Sequence, residues 1–287
     1  MKVFKKILQK MPSSLSTYIR AVYCLRYFPN FKKPKTFNEK IQHRKLTSKD
    51  DTFSLYSDKF EVKKYVKSVV GEEFLIETFY VGPTISPKII QDTIDIKGSI
   101  VCKTTHDSGS VFLLDASSTT KEIDNASIIL NQEVKNDYGK KSGELWYGKI
   151  TPRIIIEKQL ICESGNLADY KFHVFNHDGN TTVILHIDFD RFNNHNRSWF
   201  DEELNWLPFS MGYPNIKTNI DKPENYSKML EVAKKIGHLF NYARVDLYNV
   251  NGQIYFGEIT FAHGSGYERF SSKYHDRWMG NFWKLSE

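Results

Sequence analysis

The spacing of apolar residues along the chain changes from a helical period to a strand period near residue 74. Before that point apolar positions recur every three or four residues, as in Val62, Val66 and Val69, which is the period of one helix face. After it the chain breaks into short runs of β-branched and aromatic residues, which are typical of strands. The pattern predicts helices over residues 12–70 and a strand-rich remainder.

Capping residues indicate where the helices before residue 74 begin and end. Thr36 with Glu39 three residues later forms a capping-box pattern at the start of TFNEKIQHRKL. Ser57 is placed to precede the next helix, and Gly71 is placed to end it. Further helices are predicted over 120–139, from Pro223 to 240, and over 276–285.

Two turn signals indicate antiparallel hairpins. Asn251-Gly252 separates the runs YARVDLYNV and QIYFGEIT, and His177 to Asn180 separates DYKFHVF from TTVILHIDF. The fold class that follows is α+β. The predicted strands are 74–81, 99–105, 111–115, 153–161, 169–175, 181–189, 242–250 and 253–260.

Composition narrows the class of protein. The chain has 287 residues, of which 40% are hydrophobic and 26% charged, so a soluble globular protein of about two domains is expected. Cys24, Cys102 and Cys162 are too far apart for a disulfide framework or a cysteine zinc site, which favours a reducing cytoplasm. No run reaches the ~18 apolar residues of a membrane span, and no signal-peptide core follows the basic start.

The chain is moderately basic, with 40 Lys and Arg against 34 Asp and Glu, a net charge of +6. This excess suits anionic ligands such as nucleotides, acidic sugars or lipid surfaces. Residues 1–11 have the spacing of a basic amphipathic helix, which is either a membrane-surface contact or an ordinary packed helix. Its basic residues are Lys2, Lys5, Lys6 and Lys10, and its apolar ones are Phe4, Ile7, Leu8 and Met11.

The predicted hairpin at 242–260 carries two acids and an arginine. Arg244 and Asp246 alternate on one strand and therefore share a face. If Glu258 on the paired strand faces the same side, a divalent ion bridging phosphates would balance the acids. The alternative is a solvated sheet face that happens to carry these charges.

Two other strands carry features of a nucleotide site. Lys103 lies in an apolar strand and is followed by the small polar turn THDSGS, which suits a loop over phosphates but lacks Walker A spacing. A surface hairpin with a snorkelling lysine is the alternative. The run Ile154 to Leu160 is an apolar strand whose end offers backbone donors and acceptors, and this combination suits adenine. An ordinary core strand with charged residues at its end has the same pattern.

A rival interpretation comes from Asp188 and Asp190. This D-x-D at a strand end is the pattern by which many glycosyltransferases hold Mn²⁺ and a nucleotide sugar, but it is also common by chance. A sugar or lipid kinase and a catalytically silent nucleotide-binding module are further alternatives. The nearby basic residues Arg191, His195 and Arg197 would face an anionic acceptor or only solvent.

Taken together, these segments resemble the TupA-like branch of the ATP-grasp superfamily, which is associated with teichuronopeptide and other bacterial polysaccharide synthesis. The resemblance runs from about Pro34 to Leu285, in matching order and spacing. It rests on the segments KPKTFNEKIQHRKL, SDKFEVKKYV, VCKTTHDSGS, ITPRIIIEKQL, DYKFHVF, KMLEVAKKIG, RVDLYNVNGQIYFGEITFAHGSG and DRWMG.

The resemblance implies an ATP-grasp fold in which two α+β lobes clasp ATP. It implies a helical region over 1–73, one lobe over 74–161 and a second over 162–287. The implied activity is an ADP-forming ligase that joins a carboxylate to an amine through an acyl phosphate, using ATP and Mg²⁺, with Mn²⁺ as a substitute. An acidic sugar of a capsular polysaccharide or its precursor, and an amino acid or small amine, are the expected substrates. No nucleic-acid partner is expected, and the expected location is cytoplasmic with possible contact of 1–11 with the inner membrane.

The resemblance also assigns roles to residues. Thr260 stands where many ATP-grasp enzymes have a metal-binding Asn, so the second metal position is less secure. The implied catalytic residues are Arg244, Lys103 and Arg191; the metal ligands are Asp246, Glu258 and Thr260; the acceptor is placed at Arg197, His263 and Ser265. The implied nucleotide-binding residues are Lys59, Lys103, His106, Ser108, Gly109, Ser110, Glu157, Lys158, Leu160, Asp169 and Lys171.

Overall fold

A computed structural model describes residues 13–48, 51–162, 167–189, 196–218, 220 and 222–285. The chain divides into two compact units. The first comprises Met1–Lys49, Ala168–Leu247 and Ile259–Glu287, and the second comprises Asp50–Leu167 and Tyr248–Glu258. The helical region predicted over 1–73 is therefore shared between the units, because the helices before residue 49 cluster with the later strands and those after it cluster with the earlier ones.

Of the nine described α-helices, four precede the first strand, four lie between strands and one follows the last hairpin. Short 3₁₀ turns lie at Glu72–Phe74, Leu145–Lys149 and His263–Gly266. The α-helices are α1 (Ser13–Leu25), α2 (Phe37–Thr47), α3 (Thr52–Ser57), α4 (Val62–Val70), α5 (Pro87–Lys97), α6 (Thr120–Glu133), α7 (Tyr138–Ser142), α8 (Tyr226–Gly237) and α9 (Lys273–Asn281). In the described part of the chain, no helix is both long enough and apolar enough to cross a membrane.

The strands form two antiparallel sheets within the described residues, in the orders β1-β4-β2-β3 and β10-β9-β5-β6-β7-β8. The strands are β1 (Thr78–Gly82), β2 (Ile100–Thr104), β3 (Val111–Leu114), β4 (Ile154–Lys158), β5 (Asp169–His177), β6 (Asn180–Phe189), β7 (Asn196–Phe200), β8 (Trp206–Leu207), β9 (Tyr242–Val250) and β10 (Gln253–Thr260).

In the second unit, one face of the small sheet builds the core. Ile100 and Cys102 of β2 join Ile154 and Ile156 of β4 in one apolar cluster with residues of α5 and α6. Successive side chains of a strand point to opposite faces. Lys103 and Glu157 therefore project from the face away from this core, where charged side chains can meet.

In the first unit, the hairpin β5-β6 places polar residues in register. Asp169 pairs with Asp188, and Lys171 pairs with His186. Alternate residues of the same strands, such as Phe172, are buried on the other face, which α8 covers. The sheet thus carries one apolar face and one buried polar face, and the polar face holds most of the predicted chemistry of this unit.

The predicted turns and caps are confirmed. Thr36 accepts from the backbone N–H of Glu39, whose side chain accepts in return, and Gly71 ends α4. The strands β9 and β10 have the predicted bounds, and both turn residues, Asn251 and Gly252, have positive φ angles.

Several predicted boundaries are wrong. Ser57 ends α3 instead of starting the next helix, because the Asp58 carboxylate accepts from the backbone N–H groups of Phe60 and Glu61 and delays the helix start to Val62. The first strand begins at 78 and not 74, since a 3₁₀ turn intervenes. The helix predicted from Pro223 begins at 226, and the one predicted over 276–285 covers 273–281. The helix predicted over 120–139 ends at 133, and the basic helix predicted over 1–11 lies outside the described residues.

Candidate active site

Glu157 anchors two lysines in the second unit. Lys103 Nζ lies 2.5 Å from Glu157 Oε2, and Lys63 binds the other carboxylate oxygen. Burial raises the pKa of Glu157, but the two lysines outweigh it and leave the pKa below its usual value. Lys63 also donates to Ile76 O and Thr78 Oγ1. The carboxylate therefore stays ionised and fixes Lys103 on the sheet face opposite the apolar core.

Lys59 lies beside the loop that follows β2. Its backbone N–H donates to Thr105 O at 3.1 Å, and its ammonium donates to Asp107 O. Burial lowers the pKa of Lys59, and the charge of Glu258 opposes this shift. The two lysines that the resemblance assigned to phosphate, Lys59 and Lys103, thus both belong to the second unit and lie at the start of the same loop.

The loop itself is short, polar and partly exposed. Gly109 has φ of 125°, a conformation that residues with a side chain rarely adopt. Ser108 and Gly109 are exposed, and Ser110 is half-buried. The His106 ring is buried, and its Nε2 lies 3.1 Å from Asn136 O; its nucleotide-binding role stays a prediction. The structure therefore gives His106 a contact within the unit.

The predicted adenine hinge lies at the exit of β4. The Lys158 side chain is exposed, while its backbone N–H donates to Glu77 O at 3.0 Å. Leu160 is half-buried just beyond the strand. The hinge assignment of Glu157, Lys158 and Leu160 stays a prediction.

In the first unit, Asp246 is bound by two cations. Arg244 Nε lies 2.7 Å from Asp246 Oδ1, and Lys171 Nζ lies 2.7 Å from Asp246 Oδ2. Lys171 also contacts Asp169 Oδ2 at 2.5 Å. All four side chains are buried. Burial raises the pKa of Asp246, but Arg244 and Lys171 hold it well below its ordinary value.

The predicted metal ligands offer oxygen donors only. Asp246 is kept ionised by its neighbours, while Glu258 and Thr260 are half-buried on β10. Two carboxylates and a hydroxyl are the donor chemistry that Mg²⁺ or Mn²⁺ accepts. The residue types fit the ion that the resemblance implies.

Arg244 leads into a longer chain of buried ion pairs. Its Nη1 donates to His263 Nδ1 at 2.8 Å, which leaves the ring proton on Nε2, 3.3 Å from Glu268 Oε2. Arg197 Nη1 binds the same Glu268 oxygen at 2.5 Å. Burial raises the pKa of Glu268, yet His263 and Arg197 lower it to about 2. Two residues predicted to bind the acceptor, Arg197 and His263, are thus brought into one network with the predicted catalytic arginine.

His173 and His186 extend this network. With His263, their ring nitrogens lie within 4.8 Å of one another. However, His173 Nδ1 contacts Tyr242 Oη at 3.0 Å and His173 Nε2 contacts His186 Nδ1 at 2.8 Å. Burial lowers the pKa of both rings. Because Arg244 and Arg197 also lie nearby, the cluster is a neutral hydrogen-bonded layer and a poor place for a further cation.

The remaining predicted residues are placed separately. Ser265 Oγ accepts from Lys45 Nζ at 2.8 Å within the 3₁₀ turn after β10. Asp188 Oδ1 accepts from Arg197 Nε at 2.7 Å. Asp190, Arg191 and His195 lie outside the described residues.

Sequence reasoning missed Lys63, Glu268 and Asp58. Each forms an ion pair between distant parts of the chain: Lys63 with Glu157, Asp58 with Arg153 and Glu268 with Arg197. A charged residue on the apolar-spaced helix α4 was the only signal for Lys63. No local pattern identifies the other two.

The chain belongs to the TupA-like ATP-grasp family, since the family model described as TupA-like ATPgrasp matches residues 39–284. The fold is therefore that of ATP-grasp proteins. None of the curated proteins compared with the chain matches it in sequence.

Solved structures resemble the chain at low identity. An N5-carboxyaminoimidazole ribonucleotide synthetase in complex with ADP has 15% identity and a TM-score of 0.44, covering 73% of this chain and 46% of its own. D-alanyl-alanine synthetase A from Vibrio cholerae O1 biovar eltor has 12% identity and a TM-score of 0.43, covering 72% and 55%. The ATP-grasp ligase PsnB with a precursor variant, Mg and ADP has 11% identity and a TM-score of 0.40, covering 74% and 51%. The chain spans about half the length of these proteins.

Proposed function

We propose that the protein is an ADP-forming ligase that joins a carboxylate to an amine. Membership of the ATP-grasp family supports this reaction class. The observation that carries the proposal is the ion pair of Arg244 with Asp246, which holds a guanidinium beside an ionised acid of the predicted metal set. The carboxylate substrate is proposed to be an acidic sugar of a surface polysaccharide or its precursor, and the amine an amino acid or small amine.

The residues that the resemblance assigns to the nucleotide belong to both units. In the second unit, Lys59, Lys103 and the loop over 108–110 are proposed to bind phosphates, and the β4 exit to hold adenine. In the first unit, Asp169 and Lys171 are proposed to contact the nucleotide. Lys103 and Lys171 are held in place by ion pairs with carboxylates. Phosphate oxygens would therefore compete with these carboxylates for the two ammonium groups.

Asp246, Glu258 and Thr260 are proposed to hold Mg²⁺. When bound, this ion supplies positive charge for the triphosphate. Arg244 and Lys171 keep Asp246 ionised before any ion arrives, so the site does not need to lose a proton to bind one.

The reaction would proceed in two steps. An oxygen of the acceptor carboxylate attacks the γ-phosphorus, the bond to the β-γ bridging oxygen breaks, and ADP leaves an acyl phosphate. The amine nitrogen then attacks the acyl carbon, the bond to the phosphate oxygen breaks, and the nitrogen loses its proton to solvent. Arg244 and the predicted Arg191 are proposed to stabilise the oxyanion formed at that carbon.

The glycosyltransferase alternative has less support. It needs Asp188 and Asp190 as metal ligands; Asp188 is buried and bound to Arg197 at 2.7 Å, and Asp190 lies outside the described residues. The family match also favours the ligase.

The proposed function is tested by the dependence of ADP release on both substrates. The protein is incubated with ATP, Mg²⁺, a panel of uronic acids and a panel of amino acids, and ADP, phosphate and amide are measured. We expect ADP and phosphate together with amide only when an acid and an amine are both present. Phosphate transferred to the acceptor, with no amide, would instead indicate a kinase.

A further inference from the structure

A cavity of about 820 Å³ opens on the surface of the first unit. Three segments that are distant in sequence form it: the end of α1, the stretch after β8, and the stretch after the 3₁₀ turn at 263–266. The side chains that matter here are Tyr23, Arg26, Tyr213, Glu268 and Arg269. Proteins commonly bind small molecules in concave sites that combine aromatic walls with a few polar groups.

The cavity is positively charged. Arg26 and Arg269 are exposed, and neither has a carboxylate partner among the described residues. The carboxylate in the wall, Glu268, is bound by Arg197 and His263. A smaller cavity of about 200 Å³ shares both arginines and adds Lys273 and Asp276, whose carboxylate accepts from Tyr27 Oη and the backbone N–H of Asn38. Two guanidinium groups that lack a carboxylate partner among the described residues suit a carboxylate ligand, which arginine binds through two parallel hydrogen bonds.

Two tyrosines supply ring surfaces. Tyr23 is 54% exposed and Tyr213 is 37% exposed. An arginine lies over each ring, with Arg26 4.8 Å from the centre of Tyr23 and Arg197 4.8 Å from the centre of Tyr213. An aromatic face is electron-rich and attracts the weakly positive C–H groups of a sugar ring. Exposed tyrosines beside arginines therefore favour a carboxylated sugar over a simple inorganic anion.

The backbone of Arg26 gives an independent indication. Its φ is 63°, in the left-handed region, and its N–H donates to Val22 O at 3.0 Å where α1 ends. Glycine is the residue favoured at this position of a helix end, because a side chain there is strained. An arginine at a glycine position, with its side chain exposed at the cavity, points to a use for the side chain.

The cavity wall is connected to the predicted catalytic arginine. Glu268 lines the cavity and lies 3.3 Å from His263 Nε2. His263 Nδ1 in turn accepts from Arg244 Nη1 at 2.8 Å. Only one side chain separates the wall of the cavity from Arg244, and all three belong to the first unit.

We propose that this cavity binds the acidic sugar acceptor, with Arg26 and Arg269 on a uronate carboxylate and Tyr23 and Tyr213 against sugar rings. The inference rests on the proposed function for its choice of substrate class. It adds a location and four residues, none of which the sequence assigned to the acceptor.

The test measures binding without ATP turnover. Tetragalacturonate is titrated into the full chain by calorimetry, alongside its methyl ester, which keeps the rings and removes the charges. The variants are Arg269→Gln, Arg26→Gly and the control Arg277→Gln, which makes the same change at an exposed arginine of α9. We expect at least tenfold weaker binding for the ester and for both cavity variants, and less than a twofold change for the control.

Arg26→Gly also separates a binding role from a structural one. Since glycine relieves the left-handed backbone, we expect a Tm no lower than that of the parent. If the Tm of Arg26→Gly is several degrees lower than that of the parent, Arg26 stabilises the fold and its role is structural. Equal binding of tetragalacturonate by Arg269→Gln and Arg277→Gln, or displacement of the tetramer by equimolar inorganic phosphate, would overturn the proposal.

Failure of this inference and failure of the proposed function give different results. ATP binding and ADP release with other acids are measured on the same samples. If amide forms but Arg269→Gln binds tetragalacturonate like the parent, the cavity assignment is wrong and the ligase remains. If the parent binds the tetramer in an Arg269-dependent way but no acid and amine pair yields ADP and amide, the ligase is wrong and the cavity remains.

Discussion

Arg244 and Asp246 form a two-bond ion pair on a single strand, with Nε 2.7 Å from Oδ1 and Nη2 2.8 Å from Oδ2. The residues are two apart on β9, so both side chains point to the buried polar face of the sheet. Lys171 adds a further bond to the same carboxylate. A buried acid between two cations is fixed in position and in charge.

Asp246→Asn is expected to destabilise the protein. The change leaves Arg244 and Lys171 buried with one anion fewer, and breaking a buried pair in this way costs about 3–5 kcal/mol. The free energy of unfolding, measured in urea, checks this. A loss below about 1 kcal/mol would contradict the assigned ion pairs.

Glu258→Gln is expected to remove activity without that loss of stability. Glu258 is half-buried, so neutralising it costs less than neutralising Asp246. If it holds the metal ion, losing its charge should lower turnover at least ~100-fold. Steady-state ADP release and urea unfolding are measured on the same preparation. Turnover within twofold of the parent would exclude Glu258 from the metal site.

Lys103→Met is expected to weaken ATP binding. A charge-assisted hydrogen bond contributes about 1.5–3 kcal/mol, so the Kd for ATP should rise roughly 10- to 150-fold. Lys64→Met is the matched control, because Lys64 is an exposed lysine of the same unit. Calorimetric titration with ATP and Mg²⁺ distinguishes the two. Equal affinities for both variants would remove Lys103 from the nucleotide site.

The hairpins could be predicted from the sequence because their signals are local. Asn251-Gly252 adopts the two positive φ angles of a tight turn, and the alternation on either side fixes the strands. The capping box of Thr36 and Glu39 is local in the same way. These features needed no knowledge of the rest of the fold.

The ion pairs of the site could not be predicted in the same way. Lys103 meets Glu157 because β2 pairs with β4 in the sheet, and strand order is not encoded in any one segment. Arg197 meets Glu268 only once β7 and the turn after β10 have been brought together. The sequence placed Arg197 near the acceptor through its charge, but its partners come from the tertiary fold.

The free energy of unfolding is expected to decrease at acid pH because the Glu268 carboxylate becomes protonated. Its pKa is lowered from 4.5 to about 2. The unfolded chain therefore binds a proton at a pH where the folded chain does not. The stabilisation is fully present above pH 4.5 and is lost as the pH falls toward 2, with a size of about 3 kcal/mol.

Glu268→Gln checks this pH dependence. The difference in unfolding free energy between the parent and this variant should shrink as the pH falls from 5 to 3. The same change at the exposed Glu224 should give no such trend. A difference that stays constant with pH would show that Glu268 acts through packing and not through its charge.

The most direct test of the proposed ligase follows one oxygen atom. An acceptor labelled with ¹⁸O in its carboxyl group is incubated with ATP, Mg²⁺ and amine, and the released phosphate is examined by mass spectrometry. In an acyl-phosphate route, a carboxylate oxygen attacks the γ-phosphorus and leaves with it, so each phosphate formed with amide should carry one ¹⁸O. Amide formation with unlabelled phosphate, or with AMP in place of ADP, would contradict the account.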